Sequence, residues 1–165
     1  MSEEKFTKKQ AETKEAFEQA GTEADAVSKK LAAMKEYAEQ VKINGIQIID
    51  VNEQNKVLRS NLLIAGQTLP MFIVLNDTVY SYIQIHLAAI DKSKEDKCLK
   101  YLNELNEKFS MLKYHINSEN NVVLTCSVPS SNDKFEPALV FALVDQVKIL
   151  LEENYTELMQ TLWKD

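Results

Sequence analysis

The chain has 165 residues, 45% of them hydrophobic and 27% charged, enough for one domain to bury most of its apolar surface without disulfide or metal staples. A net charge of −6 speaks against nucleic acid, because phosphate-backbone binding needs a basic patch and no Lys/Arg cluster here is interleaved with stacking aromatics. Met1–Lys14 is densely charged without an apolar core, and no apolar run approaches the roughly 20 residues that span a bilayer, so a cytoplasmic chain without membrane attachment is expected.

Residues 1–21 are polar, with Phe6 and Phe17 as the large apolar anchors, and read either as a polar helix or as a flexible tail ahead of a single α+β domain over 22–165. Thr22 is a candidate cap for the next element, with Asp25 three residues on. Residues 23–42 read as a helix whose Val27, Leu31, Met34, Ala38 and Val41 alternate spacings of four and three, ended by Asn44-Gly45. Four β-branched and aromatic runs follow, IQIID, KVLRSNLLIA, LPMFIVL and TVYSYIQIHLAAI, separated by turn residues as in an antiparallel meander. Pro70 lacks an N–H for the ladder and is expected at a strand end or edge. Ser93 is the expected cap of a second helix, with Cys98, Leu102, Leu105 and Phe109 on its apolar stripe. The alternating runs MLKYHIN and NVVLTCSV, joined by Ser118–Asn121, read as a hairpin. A long helical run with Pro137 near its start closes the chain.

The order helix, three or four strands, helix, two strands, helix argues an α+β fold with a largely antiparallel β-sheet and helices packed on one face. Cys98 and Cys126 lack metal or CxxC spacing and fall on apolar faces, as buried thiols do. The last helix is apolar over more than half its circumference, which fits burial between the sheet and helix 23–42, or sharing of part of this surface with a second subunit.

Residues 56–163 resemble the YbjN family, whose fold is like that of the type III secretion chaperones. The strand VYSYIQIHLAAI leads through Asp91–Ser93 into DKCLKYLNELNEKF. That helix carries Leu-Asn-Glu-Leu-Asn at 102–106 and runs straight into the hairpin LKYHINSENNVVLTCSVPSS, and the run from Glu136 to Trp163 matches the family's closing helix. The resemblance implies an α+β domain, commonly dimeric, that acts as a chaperone, adaptor or regulator. It brings no catalytic motif to carry over.

The residues themselves supply no chemistry of that kind either. There is no GxGxxG, P-loop, HExxH or GxSxG, and the chain has only 3 glycines, so a phosphate-cradling loop is not expected. No catalytic, cofactor-binding or metal-ligating residue is assigned. Strand alternation instead gathers Arg59, Asn61, Tyr80, Tyr82, Gln84, His86, Lys113, His115, Asn117 and Thr125 on one face, opposite an apolar face carrying Ile83, Leu124 and Cys126. No carboxylate accompanies the two histidines there, which argues against metal binding or acid–base work. An ordinary solvated sheet surface and a protein-binding surface both fit this composition, because Tyr, His and Arg give large contact area at low entropic cost. The expectation is a non-enzymatic protein-binding module working as a homodimer. The alternative is a small-ligand regulatory module with Arg59, Tyr82, Gln84, His86 and His115 lining a pocket.

Overall fold

The computed structural model describes residues 25–50, 52–130 and 134–163. In chain order these form α1 (Asp25–Gln40), β1 (Gln47–Asp50), β2 (Asn55–Ile64), β3 (Gln67–Asn76), β4 (Tyr80–Ala89), a 3-10 turn at Lys92–Lys94, α2 (Glu95–Lys108), β5 (Leu112–Ile116), β6 (Asn121–Pro129) and α3 (Pro137–Trp163). Four strands precede the middle helix, and IQIID supplies the short first one. The expectations for residues 1–21 and for a Thr22 cap lie outside the described residues.

The six strands make one antiparallel sheet in the order β1-β2-β3-β4-β6-β5. Its turns are chemically specified. Ala65 and Gly66 close β2 onto β3 with φ of 47° and 79°, the two positive values of a type I′ turn, whose twist matches that of the flanking strands. Asn76 Oδ1 accepts from the Thr78 amide at 3.0 Å and hydroxyl at 2.7 Å, which sets the β3–β4 turn. At the β5–β6 turn, Asn117 Oδ1 accepts from the amides of Glu119 and Asn121, and Asn120 takes a left-handed φ of 57°.

Pro70 departs from expectation. It stands inside β3, opposite Asn61, in a strand with neighbours on both sides. The β3–β4 ladder begins only at Met71, paired with Ile85, so the missing N–H removes no rung.

Alternation drives Leu58, Leu62, Leu69, Met71, Ile73, Ile83, Ile85, Leu124, Cys126 and Val128 to one side of the sheet, where they join side chains from all three helices in one buried cluster. Cys98 and Cys126 are both buried free thiols, and burial raises the pKa of each above the ordinary thiol value. α1 rests on β2 and β3 beside α3 rather than over it, joined by stacking of Tyr37 on Phe141 at 5.6 Å between centroids. Leu139 and Ile149 of α3 therefore remain exposed.

The helix ends correct three expectations. α1 stops at Gln40, two residues short of the expected 42, and its stop is not built on Asn44-Gly45: Lys42 takes a φ of 58°, its amide donates to Glu39 O, and the Ile43 amide donates to Ala38 O at 2.8 Å, a Schellman stop built on lysine. Val41, expected on the buried stripe, is exposed in consequence. Asp91, not Ser93, provides the cap before α2: its carboxylate accepts from the Ser93 amide at 2.8 Å and the 3-10 turn then feeds the helix. Hydrogen bonding from the Ser93 side chain, and then from its amide, holds the Asp91 carboxyl below its ordinary pKa.

Among the described residues one buried charge breaks the apolar pattern. Lys30 has 0% relative exposure, and its ammonium donates to the carbonyls of Asn76 at 2.9 Å and Thr78 at 2.7 Å, anchoring α1 to the β3–β4 turn. Burial lowers its pKa, and the nearby Asp77 partly opposes that shift.

Candidate functional site

The face opposite the helices carries no helix or strand over it among the described residues. Ladder registers lay its side chains out in rows across the strands. One row runs Arg59, Phe72, Gln84, Thr125, Lys113 from β2 to β5. A second runs Val57, Val74, Tyr82, Ser127. A third contains His86, Val123 and His115, with Val123 between the two imidazoles. Tyr80 stands exposed opposite Pro129, and Asn61 opposite Pro70.

Nine of the ten residues gathered by alternation thus share one surface. Asn117 is the exception: its side-chain oxygen is committed to two amides of the β5–β6 turn, so it builds the turn rather than presenting a contact group. The polar set leaves out apolar residues of the same face. Val123, which alternation with Thr125 already places there, and Phe72, Val74 and Val57 give it an apolar middle. Val123 is only 3% exposed despite facing away from the helices. LPMFIVL is apolar at both parities, so it shows no polar side to read. The polar residues opposite it, Arg59 and Gln84 beside Phe72, are the signal that could have assigned it.

The electrostatics of this surface are mild. His115 has a buried Nδ1 without a hydrogen-bond partner, and its pKa is lowered, first by burial and then by the Lys113 ammonium. His86 tilts against the Phe72 ring at 5.2 Å between centroids. The imidazoles sit on β4 and β5 with β6 between them, and neither register neighbour is a carboxylate. No group of three His, Cys, Asp or Glu side chains arranged for a metal ion occurs among the described residues.

The two edges of the sheet are built differently. Antiparallel pairing of Lys113 with Thr125 and His115 with Val123 turns the backbone of Tyr114 outward. Asn106 meets it there: the Tyr114 amide donates to Asn106 Oδ1 at 2.6 Å, and Asn106 Nδ2 donates to Tyr114 O at 3.0 Å. The Leu112 amide donates to Phe109 O at 3.0 Å. At the other edge, β1 pairs, among the described residues, only with Lys56–Arg59 of β2. The type I′ turn pairs Ile64 with Gln67, so Asn61 and Leu63 direct their backbone groups away from β3, past the end of β1. Ile48 and Ile49 of β1 are 43% and 40% exposed.

Three clefts open elsewhere. One of about 520 Å³ lies between the β2–β3 turn and the end of α3, near Tyr155, Met159 and Trp163. One of about 270 Å³ runs under β1, lined by Met34, Ala38, Ile43, Ile46, Ile48 and Leu58. One of about 250 Å³ adjoins it beside Leu62, Phe141 and Val144. None of the three is lined by Arg59, Tyr82, Gln84, His86 or His115, the side chains a polar ligand pocket was expected to use. No helix among the described residues is long and apolar enough to cross a membrane. Neither family models nor curated proteins match the chain.

Proposed function

We propose that this chain is a non-enzymatic protein-binding module of the chaperone, adaptor or regulator kind. The observation that carries the reading is the uncovered sheet face, where Phe72, Tyr80, Tyr82 and Val74 provide contact area and Arg59, Gln84 and Lys113 provide polar specificity. The open β1 edge adds a second mode of recognition, since an extended segment pairing there gains main-chain hydrogen bonds while its side chains meet the cleft under Ile48. The resemblance of residues 56–163 to the YbjN family supports the same reading. With it go a cytoplasmic location and a homodimeric state, for which the exposed Ile48 and Ile49 of β1 offer apolar contacts, one on each side of the sheet edge.

A photo-crosslinking side chain at Tyr82, introduced into the full chain in its native host, tests the binding role. The reading expects defined protein adducts at Tyr82 and none at Leu99, which is exposed on α2. Equal labelling at both positions would remove the face from the account. Light scattering tests the dimer: a mass twice the 18.8 kDa of the chain is expected, and 18.8 kDa at high micromolar concentration contradicts it.

A further inference from the structure

The face that no described helix or strand covers differs in charge from the rest of the described surface. The chain carries 25 Asp and Glu against 19 Lys and Arg. Even mixing would place acids among the outward positions of the sheet. The registers place none there: every outward residue of the six strands is apolar, neutral and polar, imidazole or cationic. Two fixed cations, Arg59 and Lys113, terminate one cross-strand row at opposite ends. Four strand spacings of about 4.8 Å separate them, about 19 Å in all. Phe72 and Gln84 lie between, and Tyr82 borders the row.

We propose that this face accepts an acidic segment of another protein, with apolar side chains against Phe72 and Tyr82 and carboxylates about 19 Å apart against Arg59 and Lys113. That separation is about 12 residues of helix or six of extended chain. The inference rests on the protein-binding reading and narrows it to the chemistry of the partner. Charge complementarity selects the occupant. A basic segment would meet two cations with no acid to offset them, and exposed pairs of this kind contribute more to choosing and steering a partner than to raw affinity. Two cations on a face of this size are too few for a nucleic acid, which needs a run of phosphate contacts.

The test measures fluorescence anisotropy of a labelled 16-residue peptide of Glu, Leu, Phe and Ala with the full chain, against counterparts in which every Glu is Lys or Gln. A peptide of residues 1–20 of this chain is the fourth probe. The Glu peptide is expected to bind about tenfold tighter than the Lys peptide, and to weaken as salt rises and the Debye length contracts. Arg59→Gln and Lys113→Gln each cost it about threefold and together about tenfold, the scale of exposed ion pairs. Both positions are exposed, so unchanged thermal unfolding of the variants verifies their fold. Equal binding of the Glu, Gln and Lys peptides, all weakened by Tyr82→Ala, overturns the acidic preference and leaves the protein-binding reading standing. Failure of every peptide to bind overturns both. Tighter binding of the 1–20 peptide, with the same dependence on Arg59 and Lys113, overturns the foreign partner in favour of the chain's own first residues.

Discussion

The two edges of the sheet receive opposite treatment. β5 is sealed: Asn106 takes both outward backbone groups of Tyr114, and Phe109 O takes the amide of Leu112. Among the described residues nothing pairs with the outer side of β1, and β2 runs past it with Asn61 and Leu63 unmatched. Edge strands template pairing with other chains, so proteins usually blunt them. A sheet that closes one edge with a two-pronged side chain and leaves the other open presents a sided molecule.

The sharpest way to break this comparison is to cut the core beside each edge. Leu124, 1% exposed and in register with Tyr114, anchors the sealed side. Leu124→Ala is expected to cost about 3 kcal/mol in urea unfolding, the transfer loss plus the cavity it leaves. Ile48→Ala at the open edge is expected to cost less than about 1 kcal/mol, because much of that side chain already meets water. Equal costs would mean the two sides are equally supported. Between these values lies Asn106→Ala, which removes two hydrogen bonds and leaves the Tyr114 backbone groups unpaired; a loss of about 2 kcal/mol is expected. Opening the sealed edge is also expected to raise self-association, read by sedimentation velocity. An Asn106→Ala protein as stable and as monodisperse as the parent would show that the clamp does nothing for the edge.

The smallest expected effect is on pH dependence. Burial and Lys113 lower the folded pKa of His115 below 6.5, so the unfolded chain takes up a proton first as the pH falls. The stability present above pH 6.5 is therefore lost progressively from there through the lowered folded value, and levels off below it. His115→Gln is expected to flatten that part of the profile. A parent protein whose stability rises between pH 6.5 and 5 would contradict the direction of the shift.

Much of this arrangement was legible in the sequence, and for definable reasons. β4 and β5 alternate cleanly, so Tyr82, Gln84, His86, Lys113 and His115 fell on one face and Ile83 and Leu112 on the other without any coordinates. β3 does not alternate, and the apolar middle of the face, Phe72 and Val74, stayed hidden until the registers with β2 and β4 fixed its parity. Lys30 was invisible because a lysine one position before Leu31 reads as a solvated flank. Its burial depends on two carbonyls more than 45 residues away in sequence. The Leu-Asn-Glu-Leu-Asn run drew notice as a motif, but the part Asn106 plays appears only once the β5–β6 ladder turns Tyr114 outward. Asn117 sits on the right parity and still does different work, because a turn lies directly after it. Helix ends misled for a related reason. Asp91 and Ser93 both have cap chemistry, and the 3-10 turn that decides between them is a tertiary choice.

Residue-resolved amide exchange under native conditions tests the sidedness most directly. Tyr114 and Leu63 lie in the two strands compared, one clamped by Asn106 and one directed past the end of β1. The account predicts that the Tyr114 amide exchanges at least a hundredfold more slowly than the Leu63 amide, once each is corrected for its intrinsic rate, because exchange at Tyr114 must first break a hydrogen bond that Leu63 does not make among the described residues (roughly 3 kcal/mol of opening free energy). Equal protection of the two, or faster exchange at Tyr114, would contradict it.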